Sequence, residues 1–197
     1  MEDLAKQLSF ILELDKLKAV ARKAIVKPDN NRYENSAEHS WQIALAADVL
    51  KEYVDHQINI VNVIKMLLLH DIVEIDAGDT FAFAAVEDLD GQHEKELAAA
   101  NRIFGMLPES QYQEYLALWL EFEHAESFDA QFAKAVDRIL PLVQNVANEG
   151  GSWAQHSIKR SQVLARNKYL KGVAPRLWEY AKEQIDLAVT KGWLIAD

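Results

Sequence analysis

The sequence predicts an all-α protein, and three observations carry that prediction. Glycine and proline are scarce, at seven and four of 197 residues. Apolar residues recur at three- and four-residue spacing along most of the chain, the period of an amphipathic helix. Half of the residues are hydrophobic and 26% are charged, so a chain of this length buries a sizeable core as one domain over residues 1–197. A first helix is expected over about Asp3–Leu17, with Leu4, Leu8, Ile11 and Leu12 on one stripe. The polar run from Lys27 to Asn35 reads as the first loop, because Pro, Asp and Asn favour turns over helix. Ser36 then suits the N-cap of a second helix reaching about Val54, with His39 in its first turn and Trp41, Leu45, Val49 and Tyr53 as an apolar face.

A third helix over about Asn59–Ile75 turns Ile60, Val63, Ile64, Leu67 and Leu68 inward. It stops at Asp76-Ala77-Gly78-Asp79-Thr80, where glycine suits a C-terminal turn and the aspartates compete for backbone donors. The loop Phe81–Asp90, apolar and acidic in turn, reads as a lid. Further helices are expected over Glu94–Phe104, Glu109–Phe122 and Phe128–Asn148, the last kinked at Pro141, which has no backbone N–H. Gly150-Gly151-Ser152 ends it. Ser161–Tyr169 and Pro175–Lys191 complete the helices, with Pro175 at a favourable first-turn position.

Charge and cysteine content narrow the chemistry. Twenty-one Lys and Arg stand against 31 Asp and Glu, a net charge of −10 without a basic stripe, so nucleic acid and anionic membrane are poor partners. The absence of cysteine excludes disulfides, zinc fingers, iron–sulfur clusters and a thiolate nucleophile, and leaves histidine and carboxylate as the strong metal ligands. The start Met-Glu-Asp-Leu-Ala-Lys is no signal peptide, and the cluster Val63–Leu69 is cut by Lys65 and too short to span a bilayer. A cytoplasmic protein is the expectation.

Histidine and carboxylate intrude on apolar helix faces in three places: His39, the adjacent pair His70-Asp71, and Asp137. His70 continues the line of Val63 and Leu67, and Asp71 that of Ile60, Ile64, Leu67 and Leu68, so both point toward the core. Ala133, Val136 and Leu140 surround Asp137 on its helix. A buried ionised carboxylate is costly unless paired or bound to a cation. Alone, His39 or Asp137 reads as a hydrogen-bonded core residue. Together, two imidazoles and two carboxylates between three helices form a mixed nitrogen and oxygen site for a divalent ion of the manganese, iron, cobalt, nickel or magnesium kind. Four protein ligands leave positions for water or a phosphate oxygen. Glu74, four residues beyond His70, faces the same space as a general acid/base rather than a solvated helix-end charge. Asp79 and Thr80 hang at the same end, placed to hydrogen-bond a substrate hydroxyl. Arg22 and Lys18 flank the pocket from the first helix and supply the donors a phosphate needs. His93 and His124 read as surface residues, His56 and His156 as loop or helix-end residues, and Trp153 as a buried anchor or a wall of the pocket.

The order His39, His70-Asp71, Asp137 resembles the HD-domain superfamily of metal-dependent phosphohydrolases. The spellings Asn35-Ser36-Ala37-Glu38-His39-Ser40, His70-Asp71-Ile72-Val73-Glu74 and Gly78-Asp79 are similar to its 5′-deoxynucleotidase branch. The resemblance spans roughly Leu4–Asn148 and implies a helical HD-domain core, on which the C-terminal helices over 161–191 pack. It implies a metal held by His39, His70, Asp71 and Asp137, with Glu74 as acid/base, Asp79 at the sugar hydroxyl and a basic residue such as Arg22 at the phosphate. It further implies hydrolysis of a phosphate monoester, first a nucleoside 5′-monophosphate, by a homodimer. The Arg-Trp pair of that branch is replaced here by Arg22-Lys23-Ala24, and Glu149 to Trp153 differ as well, so substrate choice is where divergence is expected. The rival readings are cleavage of a phosphoanhydride or modified nucleotide in the same site, and a metal-bearing nucleotide sensor without turnover.

Overall fold

Helices dominate a computed structural model that describes residues 1–84 and 91–197; residues 85–90, most of the segment read as a lid, lie outside the described residues. The first helix, α1 (Glu2–Glu13), tightens into a 3-10 stretch over Leu14–Ala19. It buries Phe10, while Leu4, Leu8, Ile11 and Leu12 stay exposed. The segment after it departs from the expected loop. β1 (Ala21–Val26) and β2 (Arg32–Asn35) form an antiparallel hairpin, with Ile25 opposite Tyr33 and Val26 opposite Arg32. Asn30 and Asn31, both at positive φ, make the turn, a conformation asparagine tolerates better than most residues. Arg22 therefore sits on β1 rather than on the first helix. Strand alternation turns it inward while its neighbours Ala21 and Lys23 face solvent.

α2 (Ser36–Leu50) is capped by Asn35, not by Ser36. Asn35 Oδ1 accepts the Glu38 N–H at 3.0 Å and Glu38 Oε2 accepts the Asn35 N–H at 3.4 Å, a reciprocal capping box. Ser36 thus becomes a buried residue of the first turn, on the same face as His39, Ser40, Ile43, Ala44 and Ala47. The apolar side chains Trp41, Leu45 and Val49 face solvent instead.

The third helix is broken in two. α3 (Ile60–Leu69) starts at Asn59, whose side chain accepts the Val61 N–H, passes through a 3-10 turn over His70–Val73, and resumes as α4 (Glu74–Ala77). Gly78, at φ +77°, ends it in a conformation that favours glycine. α5 (Gln92–Phe104) and α6 (Glu109–His124) pack against each other and against the His70 turn and α3. α7 (Phe128–Ala147) runs through Pro141 without ending. α8 (Gly151–Gln155), α9 (Arg160–Asn167), α10 (Leu170–Val173) and α11 (Pro175–Thr190) complete the chain, with Pro175 in the first turn as expected.

The core sits on α7. Its Phe132, Val136, Ile139 and Leu142 meet Ile43 of α2, Val63 and Leu67 of α3, and Ile185 of α11 in one apolar cluster. A second cluster joins Phe10, Leu17, Ile72, Ile103, Phe104 and Trp119 behind the His70 turn. Asn145 Oδ1 accepts from the Ser152 N–H at 2.8 Å and the Ser152 hydroxyl at 3.0 Å, which ties α8 to α7. Among the described residues, no helix is long and apolar enough to cross a membrane.

Candidate active site

α2, the His70 turn and α7 converge so that His39, His70 and Asp137 each bring one ligand atom within 4.8 Å of the others. His39 Nε2 lies 3.1 Å from Asp137 Oδ1. His70 Nδ1 meets the Leu67 carbonyl at 2.8 Å, as the donor that fixes the ring, and this aims Nε2 at the cluster. That Nε2 is 2.9 Å from Asp71 Oδ1 and 3.7 Å from Asp137 Oδ1. It is fully buried and has no hydrogen-bond partner. A buried imidazole nitrogen left unpaired among carboxylate oxygens is the environment a cation satisfies.

The electrostatics agree. Burial disfavours a charged His70, yet Asp71 and Asp137 beside it push its pKa up to about 10. Burial and Arg22 also oppose charge on His39, and Asp137 and Glu34 outweigh them to raise it. Burial works against the Asp137 carboxylate as well, but the His39 and His70 rings beside it hold it well below the usual range. The cluster lacks positive charge and recruits protons to supply it; a divalent ion takes their place when the imidazoles act as ligands. The donor set of two imidazoles and the carboxylates of Asp137 and Asp71 fits such an ion.

Glu74 and Asp79 stand beside this cluster, as expected. Glu74 Oε2 accepts a hydrogen bond from the Ser36 hydroxyl at 2.5 Å. Burial, then the charges of Asp71 and Asp79, push the Glu74 pKa up to about 9 against the pull of Arg22, so it carries a proton at neutral pH in the ion-free site. Burial and Asp71 raise Asp79 too. Arg22 is set among four carboxylates: Asp71 at 2.5 Å, Glu34 at 3.6 Å, Asp79 at 3.7 Å and Glu74 at 3.9 Å. Thr80 lines the cavity that Arg22 and Asp79 open onto. Lys18 is not brought to the site. It lies on the 3-10 stretch after α1, its side chain 68% exposed and its ammonium 2.6 Å from Asp15.

Two cavities meet here. One is lined by His70, Asp71, Glu74 and Asp137 together with Glu96, Trp119, Glu123 and Lys134. The other is lined by Arg22, Asp79, Thr80, Phe81, Phe83, Ser152 and Trp153. Arg138 and Arg166 line both. Trp153 is therefore at once a buried residue and a wall of the pocket. His93 and His124 are exposed, as their polar neighbours imply; His93 forms a second group with Glu96 and Glu123, both of which line the first cavity.

Four contributors carry no recognisable signal in the sequence: Glu34, Ser36 as a partner of Glu74, Arg138 and Arg166. Glu34 is buried on the hairpin, its Oε2 3.4 Å from His39 Nδ1 and its Oε1 accepting from Gln144 Nε2 at 3.1 Å. It faces the ring nitrogen opposite the one that faces Asp137. Glu34→Gln is expected to weaken metal affinity by about 10–100-fold, the usual cost of losing such a partner. Competition against a chelator checks this, and unchanged affinity would remove Glu34 from the site.

A family model described as the HD domain matches residues 14–178. A human protein named 5′-deoxynucleotidase HDDC2 is 30% identical over 139 residues, covering 70% of this chain and 65% of that protein, so the match spans just under two thirds of the relative's length. A crystal structure described as a predicted metal-dependent phosphohydrolase from Magnetospirillum magnetotacticum MS-1 superposes with a TM-score of 0.91 at 46% identity, over 98% of this chain and 99% of that one. A conserved hypothetical protein from Pyrococcus furiosus shares the fold at 19% identity, with a TM-score of 0.62 over 91% of this chain and 99% of that one.

Proposed function

The chain belongs to the HD-domain family, and from that premise we propose that it is a metal-dependent phosphohydrolase that removes phosphate from nucleoside 5′-monophosphates. The observation that carries this reading is the cluster of His39, His70 and the half-buried Asp137, with Asp71 2.9 Å from His70, Glu74 beside it and a cavity opening from it. Relatives named 5′-deoxynucleotidase and predicted metal-dependent phosphohydrolase support the choice of reaction. His39, His70, Asp71 and Asp137 hold the ion, which when bound acts as a Lewis acid toward a phosphoryl oxygen and lets water ionise near neutrality; manganese, cobalt, iron, nickel and magnesium all suit the donors.

The chain's own residues do the rest. Ser36 and Arg22 hold the Glu74 carboxyl in place. Its raised pKa lets it give a proton to the leaving sugar oxygen and regain one from the attacking water. Arg22 keeps Asp71, Glu74 and Asp79 from repelling one another apart. Asp79 and Thr80, on the neighbouring cavity wall, receive a sugar hydroxyl, and Phe81, Phe83 and Trp153 supply apolar surface for the base.

The whole chain, residues 1–197, works as one unit in this reading, because α9 reaches the site through Arg166. Two exposed apolar stripes, Leu4, Leu8, Ile11 and Leu12 of α1 and Trp41, Leu45 and Val49 of α2, support a homodimer. The acidic surface and lack of a membrane-spanning helix among the described residues suit a cytoplasmic enzyme acting on small molecules rather than on nucleic acid.

The test is inorganic phosphate release from a panel of ribo- and deoxynucleoside 5′-monophosphates by chelator-stripped protein, with manganese, cobalt or magnesium restored. Metal-dependent release from deoxynucleotides is the expected result. Stoichiometric metal with no release from any of them would overturn the substrate assignment.

A further inference from the structure

We propose that Arg138 and Arg166 form a two-arginine clamp at the divide between the two cavities, and that the phosphoryl group of the substrate binds in it. The proposal rests on the reading of the site as a phosphohydrolase and assigns the phosphate to residues other than Arg22.

Four of the other five arginines in this acidic chain are matched by carboxylates, and the fifth, Arg176, is exposed with its guanidinium 4.9 Å over the Tyr53 ring. Arg32 meets Asp29 and Glu38, Arg102 meets Glu13 and Asp76, Arg160 meets Asp186, and Arg22 meets four. Arg138 and Arg166 differ. Among the described residues neither guanidinium has a carboxylate within 4 Å, although both are half-buried and both line the cavity holding His70, Asp71 and Asp137. Arg138 is fixed by its stem and neighbours: its guanidinium carbon lies 5.0 Å over the Tyr169 ring, and Nη1 donates to the Arg166 carbonyl at 3.4 Å. That contact, to a backbone carbonyl, joins α7 to α9, and both arginine side chains line the same two cavities.

Arg138 and Arg166, half-buried on one cavity wall, repel each other and have no carboxylate within 4 Å among the described residues. Burial, then Arg138 and Arg22, lower the Arg166 pKa against the attraction of Asp137. A tetrahedral dianion relieves both costs, because each guanidinium fork presents parallel N–H donors that match phosphate oxygens. Arg22 is unsuited to the task, since its donors are already aimed at carboxylates that a phosphate would have to displace. Arg138 comes directly after Asp137 on α7, so an anion in the clamp lies beside the ligand cluster, and the nucleoside extends toward Phe81, Phe83 and Trp153.

The experiment uses metal-loaded protein and inorganic phosphate as the probe, titrated calorimetrically, with bound metal measured in each sample. Arg166→Gln and Arg138→Gln are each expected to weaken phosphate binding by about tenfold or more at unchanged metal content. Arg166→Lys, which keeps the charge and loses the fork, is expected to fall between parent and Arg166→Gln. It also guards against a glutamine variant that fails to fold. Phosphate affinities of both glutamine variants within about twofold of the parent, or no phosphate binding by the parent, would overturn the clamp. Failure of the wider reading looks different. Arginine-dependent phosphate binding without turnover of any nucleoside monophosphate leaves the clamp standing and removes the substrate, whereas turnover with arginine-independent phosphate binding does the reverse.

Discussion

Glu74→Gln is expected to lower kcat for phosphate release by about 10²–10⁴-fold, the contribution of a positioned general acid/base, while bound metal stays stoichiometric. The amide keeps the volume of the carboxyl and still accepts from the Ser36 hydroxyl 2.5 Å away, so the fold has no reason to change. What it loses is the exchangeable proton. Glu74 sits between Asp71, Asp79 and Arg22 in a buried position that pushes its pKa up to about 9 in the absence of an ion, which favours the proton-bearing form a donor needs. The limb of the kcat–pH profile that belongs to this proton is expected to vanish in the variant. Loss of metal with the activity would instead make Glu74 a ligand, and retention of full activity would remove it from the chemistry.

Asp137→Ala is expected to abolish activity by emptying the site. Asp137 Oδ1 is the atom that both imidazoles face, at 3.1 Å from His39 and 3.7 Å from His70. Without it the cluster keeps two imidazoles and Asp71, one oxygen of which is already engaged by Arg22 at 2.5 Å. Metal affinity is expected to fall by more than the roughly 10–100-fold that removing an outer partner of a ligand costs. Elemental analysis after dialysis reads the outcome directly, and unchanged metal content would sink this ligand set. In the ion-free state the same substitution removes one of the anions that favour charged His39 and His70, leaving Asp71 beside His70 and Glu34 beside His39.

His39, His70, Asp71 and Asp137 are legible in the chain because each interrupts a helical line of apolar residues, and helices report their faces through a period spanning many residues. Glu74 and Asp79 are then found from them by spacing alone. The hairpin is not legible in the same way. β1 and β2 are six and four residues long, too short for alternation to outweigh the loop signal of Pro28, Asp29, Asn30 and Asn31. A loop at this place leaves Arg22 on a helix and hides Glu34, whose burial depends on strand alternation. Trp41, Leu45 and Val49 form a true apolar stripe on α2, yet the inward face carries Ser36, His39 and Ser40 together with Ile43, Ala44 and Ala47, a second and smaller apolar line that polar residues interrupt. Arg138 and Arg166 carry no local signal. An arginine beside a ligand and another on a distant short helix acquire meaning only when α7 and α9 are packed together.

That packing also sets the order in which the molecule becomes competent. The hairpin, α2, the His70 turn and α7 are all made before α9 is synthesised, so a growing chain assembles the acidic half of the site while Arg166 is still missing. A chain that stops before α9 contains every proposed ligand to the ion but lacks Arg166 and the α11 side chains that pack on α7, so metal bound by such a chain reports nothing about the phosphate pocket. Metal content alone is therefore a poor measure of how much of a sample has finished folding.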